Sequence, residues 1–477
     1  MARHYHLIGI GGTAMGSLAG LLRAAGHRVT GSDENVYPPM SDQLAALGIP
    51  YAERYAPENL EPAPDIVVVG NAISRGNPEL EAVLNRKLHY TSAAAVIKDE
   101  FIRGRYSVAV AGTHGKTTTT SLLAWALECA GLNPSFLIGG VAENFATSYR
   151  LTDSRFFVIE ADEYDTAYFD KGPKMWHYLP RTAVVTNVEF DHADIYRDDE
   201  AYRFAFARFI NLIPGNGTLI AGWDSPIVRE LAVKSLAPIE SFGYGTEGTT
   251  DAEHPRWQAR AVHFEADVTR FVVVHDGAEW GDVVMPLAGA FNVRNCMATI
   301  AASHAVGADV DNVLAALRTF KSVRRRMEVR GEVNGVTVID DFAHHPTAVR
   351  ETIRAVRQRY GTRPIVAVFE PRSYTAQRRE FQQEYQVAFS DAAIVVMAGL
   401  FHPERYTRET AIDPNEMVAG WRSQGKQAEF IPAPDDIVRY LMATLRGGEV
   451  VLIMSNGSFG GIHEKLLTQL RDNAMMR

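Results

Sequence analysis

The sequence predicts an α/β protein of three units built on mostly parallel sheets. Two observations carry that expectation. Short apolar runs recur along the chain, and each ends at its carboxyl side in glycines, acids or hydroxyls, which is where open parallel sheets bind ligands. At 477 residues the chain is also long enough for about three domains of ~100–200 residues, each with its own core. The units are expected at residues 1–105, 106–321 and 322–477.

The first unit opens with a strand over residues 6–10, which runs into Gly9-Ile10-Gly11-Gly12-Thr13-Ala14 and a helix through Ala24. A second strand over 27–30 ends at Gly31-Ser32-Asp33. A Gly-x-Gly-x-x-Ala turn with an acid 22 residues after Gly11 is a Rossmann-like dinucleotide fingerprint, close to the ~20 expected for ribose recognition. An NAD enzyme is therefore one reading. The same turn would hold the pyrophosphate of a UDP-sugar at its helix N-terminus equally well. A strand over 66–69 then delivers Gly70-Asn71.

The second unit carries the most informative segment, in which an apolar strand from Val108 enters Gly112-Thr113-His114-Gly115-Lys116-Thr117-Thr118 and a helix. Glycines there let backbone N–H groups close on phosphates, Lys116 reaches the terminal phosphates, and Thr117 offers a hydroxyl to Mg²⁺. Position 110 is valine where the longer phosphate-loop pattern has glycine, so the motif is the short form. Strands over 156–159 and 183–186 end in Glu160-Ala161-Asp162-Glu163 and Asn187-Val188-Glu189-Phe190-Asp191-His192. Thr117, Glu160 and His192 are the expected metal ligands. Unaided by a motif, His192 reads rather as a loop histidine satisfied by Asp191 or Asp194, and Asp162, Glu163 and Asp165 read equally as a solvated loop or as contacts behind the metal or substrate. Residues 241–258 are polar and glycine-rich, and 259–287 alternate like a small antiparallel insertion, expected as a local appendage.

The third unit, Rossmann-like again, repeats the logic with strands over 336–339, 365–369 and 450–454. They lead to Asp340-Asp341, Glu370-Pro371-Arg372-Ser373 and Ser455-Asn456-Gly457.

Composition removes other classes. A net charge of -9 gives no electrostatic basis for nucleic-acid binding, and no window approaches the ~20 apolar residues of a membrane span. Cys129 and Cys296 fit no disulfide or zinc spacing and read as reduced core residues of a cytoplasmic protein. A nucleophile elbow and a cysteine in an electropositive turn are both missing, which turns the chemistry toward phosphoryl transfer by positioning and charge neutralisation.

The motifs 112–118, 160–163, 187–192, Gly289-Ala290-Phe291-Asn292-Val293-Arg294-Asn295, Arg325-Arg326 and 340–346, in this order, resemble the signatures of the Mur ligases over essentially the whole chain. The resemblance implies an ATP- and Mg²⁺-dependent amide ligase. A muramic carboxylate would take the γ-phosphate, and an incoming amine would then displace phosphate from the acyl phosphate. Segments 33–40, 70–78, 163–171 and 370–373 look like the member that adds the preformed tripeptide L-Ala-γ-D-Glu-meso-diaminopimelate to UDP-N-acetylmuramate in peptidoglycan recycling. The alternative is the member that adds L-alanine in de novo synthesis.

By resemblance, Lys116, Glu160 and His192 are catalytic. Residues 112–118 with Asn292, Arg326 and Asp340 contact ATP, and Gly9, Gly11, Gly12, Asp33 and Asn71 hold the UDP-sugar. Arg372, Ser373, Ser455 and Asn456 line the peptide side, an assignment resting on placement. Without the family pattern, 324–326 would read as a solvated basic run. Two departures stand out: Phe206 falls where several members carry a carbamylated lysine, and Phe291 where many have histidine. A monomer or weak dimer is expected. A plain nucleotide hydrolase is the remaining alternative, but it would leave two α/β units without a task.

Overall fold

In the computed structural model, residues 2–37, 40–244 and 254–475 are described. Part of the polar stretch 241–258 lies outside them, as do two residues of segment 33–40.

The N-terminal sheet holds β1 (His4–Ile8), β2 (Arg28–Ser32), β3 (Tyr51–Ala52), β4 (Ile66–Val69) and β5 (Tyr90–Ser92), all parallel, in the order β3-β2-β1-β4-β5. Strand order reverses between β1 and β4, and such a switch point opens a crevice at the carboxyl ends. The glycine turn after β1 and Asn71 after β4 meet there, with Gly70 N–H donating to the Ile8 carbonyl at 2.9 Å.

The central sheet begins with β6 (Tyr106–Ala111), β7 (Ser135–Ala142), β8 (Thr147–Arg150) and β9 (Phe156–Glu160). A small hairpin of β10 (Asp165–Ala167) and β11 (Asp170–Pro173) follows. The sheet resumes with β12 (Thr182–Val185), β13 (Thr218–Gly222), β14 (Ile239–Tyr244), β15 (Trp257–Phe264), β16 (Thr269–His275) and β17 (Ala278–Met285). Its order is β17-β16-β15-β14-β13-β12-β6-β9-β7-β8. β6 lies between β12 and β9, parallel to both, so the phosphate loop opens between the two acidic strand ends.

One expectation is corrected here. The antiparallel segment is not a local appendage: β15 pairs in parallel with β14, in the register Phe242↔Trp257, and β16 and β17 extend the same sheet. Trp257, Phe271 and Val283 enter the core beneath the helix Ala290–Ala305, which gives the insertion an apolar reason to stay on the sheet.

The C-terminal sheet contains β18 (Glu328–Val333), β19 (Val336–Asp341), β20 (Ile365–Phe369), β21 (Ile394–Met397), β22 (Gln427–Phe430) and β23 (Val450–Met454), in the order β18-β19-β23-β20-β21-β22. All pairs are parallel except β18 with β19.

The two joints between sheets differ. N-terminal and central sheets share a continuous apolar core in which Phe101 stacks on Phe157. The joint to the C-terminal sheet near the phosphate loop is largely polar, with Thr347 Oγ1 donating to Glu189 at 2.7 Å and Thr375 Oγ1 to Asp191 at 2.6 Å. A polar joint can exchange its hydrogen bonds for water, so hinge motion is expected at this one.

Candidate active site

The phosphate loop joins β6 to the helix Lys116–Cys129. Gly115, at φ 84°, precedes that helix, which carries no side-chain cap, so its first N–H groups remain available to an anion. The loop is pinned from β12: His114 N–H donates to Asn187 Oδ1 at 2.9 Å, and Thr186 Oγ1 donates to the His114 carbonyl at 2.7 Å. Thr113 Oγ1 lies 2.9 Å from both the Glu189 carbonyl and Tyr202 Oη. A side chain at Gly112 would strike Thr186, and Thr118 is buried behind the loop.

Lys116 folds back over the loop. Its Nζ donates to the Gly112 carbonyl at 2.8 Å and to both Glu163 oxygens, at 2.8 and 3.0 Å. Burial opposes the ammonium charge, but Glu163, Asp162 and Glu160 together outweigh it and keep the lysine protonated. Burial would likewise lift Glu163, yet Lys116 and His192 hold it down at about 2. Glu163 is fully buried, so the solvated-loop reading fails for it; Asp165 instead pairs with the exposed Lys171 at 2.6 Å.

Thr117 Oγ1 donates to Glu160 Oε1 at 2.8 Å, and Gly139 N–H donates to Glu160 Oε2 at 2.6 Å. Burial and the neighbouring Asp162 push the Glu160 carboxyl up to about 7. A crowded carboxylate beside a hydroxyl gains from a hard cation, so these residues fit a magnesium ion. Arg326 is half-buried rather than freely solvated, donates to Thr117 Oγ1 at 3.2 Å, and lies 4.6 Å from the centre of the Phe342 ring.

His192 goes elsewhere. Its Nε2 lies 3.0 Å from Glu163 Oε1 and 3.8 Å from Asp191 Oδ2, so it joins the lysine–glutamate pair rather than Glu160. Burial lowers its basicity, and Asp191 and Glu163 reverse that, leaving the imidazole more basic than usual. Phe206 is buried against the Tyr202 ring at 5.3 Å, so that position supplies no ligand.

Asn292 donates to the Ala288 carbonyl at 2.8 Å and accepts from Asn295 at 3.2 Å, while Asn295 Oδ1 faces Gly115. Asp340 is turned from the loop toward His463 at 3.3 Å and Arg325 at 3.4 Å. Arg325 in turn donates to the Ser455 and Gly457 carbonyls, which links Asp340 to the peptide side. Ser455 Oγ donates to Glu370, and Arg372 lies 3.8 Å from the centre of the Phe401 ring and 3.8 Å from Glu370. Ser373 Oγ accepts from Ala376 N–H at 3.1 Å, and Asn456 Oδ1 has no partner among the described residues.

In the N-terminal crevice, Gly11 N–H donates to Asp33 Oδ2 at 2.9 Å, and Tyr55 Oη donates to Asp33 Oδ1 at 3.3 Å. Gly9 adopts φ 85°, while Gly12 and Asn71 are exposed at the same mouth. The sequence left Glu163 open between a solvated loop and a contact behind the metal or substrate, and it did not single out Asn187 or Asn295 as site residues. Each lies within a motif already noted, and only its pairing partner in space marks it out.

Known proteins place this geometry. Three family models match in order: "Mur ligase family, catalytic domain" over 4–105, "Mur ligase middle domain" over 110–303 and "Mur ligase, glutamate ligase domain" over 325–457. A Haemophilus influenzae protein named UDP-N-acetylmuramate–L-alanyl-γ-D-glutamyl-meso-2,6-diaminoheptandioate ligase is 42% identical over 98% of this chain and 99% of its own. A UDP-N-acetylmuramate–L-alanine ligase from Pelotomaculum thermopropionicum is 33% identical over 99% and 98%. The crystal structure of a murein peptide ligase from Psychrobacter arcticus superposes with a TM-score of 0.73 at 36% identity, covering 98% of this chain and 99% of that one.

Proposed function

Because the chain belongs to the Mur ligase family, we propose that it is the ATP-dependent ligase joining L-Ala-γ-D-Glu-meso-diaminopimelate to UDP-N-acetylmuramate, with a role in peptidoglycan recycling. The observation that carries this reading is the meeting of Lys116, Thr117, Glu160 and Arg326 around one glycine turn. Greater identity to the tripeptide-adding relative than to the alanine-adding one supports the preformed peptide as acceptor.

The glycine-turn N–H groups receive the ATP phosphates, and Lys116 turns from Glu163 to the migrating phosphoryl group. Glu163 remains beside it as counter-charge. Magnesium, held by Thr117 and Glu160 with His192 nearby, would neutralise phosphate charge. Arg326 brings a guanidinium from the segment joining the central and C-terminal units, so the charge balance needs the two together. Asn292 and Asn295 shape the nucleotide side of the loop, and Asp340, turned toward Arg325 and His463 before ATP binds, is expected to contact the nucleotide. The sugar nucleotide occupies the crevice of Gly9, Gly11, Gly12, Asp33 and Asn71, with units at 1–105, 106–321 and 322–477. Arg372, with Ser373, Ser455 and Asn456, faces the peptide, where a guanidinium suits a carboxylate. A soluble cytoplasmic monomer or weak dimer fits this reading, and no helix among the described residues is long and apolar enough to cross a membrane.

Phosphate release from ATP and Mg²⁺ with UDP-N-acetylmuramate tests the proposal, comparing tripeptide, L-alanine and no acceptor, with products weighed by mass spectrometry. Tripeptide-dependent release with a UDP-muramyl-tripeptide product is expected. Release with alanine alone would assign the first step of de novo synthesis instead, and acceptor-independent release would leave only an ATPase.

A further inference from the structure

Among the described residues, one cluster of ligating side chains borders this machinery and shares the phosphate loop with it. His114 on the phosphate loop, Glu189 after β12, and His345 before the helix Pro346–Tyr360 place one ligand atom each within 4.8 Å of one another. His114 Nε2 is 2.8 Å from Glu189 Oε2, and His345 Nδ1 is 3.8 Å from the same oxygen. Donors around a tetrahedral zinc-class ion, at ~2.0–2.1 Å from it, are about 3.3 Å apart, so the observed separations bracket the required one.

The surroundings prepare these atoms for a metal. Thr347 Oγ1 donates to Glu189 Oε1 at 2.7 Å, which leaves Oε2 turned to the histidines. The Glu189 N–H is held by Thr113 Oγ1 at 2.9 Å. His345 is buried, its Nδ1 takes only a long 3.4 Å bond from Thr347 N–H, and its Nε2 has no partner among the described residues. Burial pushes the His345 imidazole down to about 4, leaving a neutral ring whose Nδ1 lone pair is engaged only by that long bond. Burial would raise Glu189, but its histidine partners hold it at about 2, so it stays ionised. His114 and Glu189 remain partly exposed, which gives an ion a way in.

We propose that His114, Glu189 and His345 form a site for a zinc-class divalent transition ion that ties the phosphate loop to the C-terminal unit. It is distinct in chemistry from the oxygen pair of Thr117 and Glu160. Two imidazoles and one carboxylate select a borderline ion over magnesium, and three protein donors leave a position for water or substrate. Two donors come from the central unit and one from the C-terminal unit, so bound metal opposes their separation.

The test is a Co²⁺ titration of the full-length protein in saturating Mg²⁺, read by visible absorption, followed by displacement with Zn²⁺. One equivalent of Co²⁺ with the intense bands of a low-coordinate site, bleached by Zn²⁺, is expected. Glu189→Gln and His345→Asn should lose the bands, the asparagine keeping a side chain able to cap the helix. Thr347→Val, which removes no ligand, should weaken Co²⁺ roughly 10- to 100-fold. No bands in the wild-type protein, or bands unchanged in folded Glu189→Gln and His345→Asn, would overturn the site. The wild-type stoichiometry reads out whether or not a variant folds.

Discussion

The chain contains two glycine turns that look alike on paper and behave differently in space. Each follows the first parallel strand of its sheet and opens a helix, one at Gly9–Gly12 and the other at Gly112–Gly115. The N-terminal turn already spends an N–H on a carboxylate, Gly11 to Asp33, and its helix starts without a basic residue. The central turn also spends N–H groups, those of Thr113 and His114 on Asn187, but it leaves the first N–H groups of its uncapped helix to a ligand and adds Lys116, Thr117 and Glu160. The first is fitted to hold a pyrophosphate in place, whereas the second can neutralise charge that moves during reaction. The difference lies in side chains brought from other strands.

Breaking the comparison at its strongest point, Lys116→Ala should reduce ADP formation by about 10²- to 10³-fold or more and leave UDP-sugar binding intact, as measured by turnover and calorimetry. Normal turnover would remove the phosphate loop from the mechanism. Next in size, Glu163→Gln strands the buried Lys116 charge and should cost about 3 kcal/mol at neutral pH in denaturant unfolding.

The same variant has a pH signature. Glu163 is held at about 2 against an ordinary value of 4.5, so the stability it contributes is complete above pH 4.5 and drains away as pH falls toward 2. Glu163→Gln should flatten that part of the unfolding profile, and an unchanged slope would deny the pair its role.

Gly115→Ala forces a side chain to φ 84° against Asn295 Oδ1, which should cost about 1–3 kcal/mol of stability together with ATP affinity. The counterpart at the other turn, Gly11→Ala, meets Asp33 Oδ2 at 2.9 Å without a left-handed backbone, so it should weaken UDP-sugar binding while stability falls less. The smallest effect is expected for Asp33→Asn, which trades a charge-assisted bond to Gly11 for a neutral one, at about 1 kcal/mol of UDP-sugar affinity. Loss of ATP affinity in either N-terminal variant would merge two sites that the comparison separates.

Much of this was legible before folding. β4, β20 and β23 fall where their apolar runs stand between turn residues, because a strand buried on both faces needs an unbroken run. β1 and β12 instead begin and end before the expected residues: β1 stops where Gly9 takes φ 85°, and β12 where the chain turns polar at Thr186-Asn187. The insertion was mistaken for an appendage because alternation marks antiparallel pairing locally and carries no information on which sheet edge the hairpin joins.

The sequence by itself determined the three-part α/β plan, the phosphate loop and the order of the family motifs, because these reside in local periodicity and fixed spacings. Only the tertiary structure decided which side chains meet. Lys116 and Glu163 are 47 residues apart, and Thr117 and Arg326 are 209. It turned His192 toward Glu163, Asp340 toward His463, and His345 toward the phosphate loop. Pairings between residues so distant along the chain depend on strand order and on how sheets seat against one another, and no short-range pattern records either.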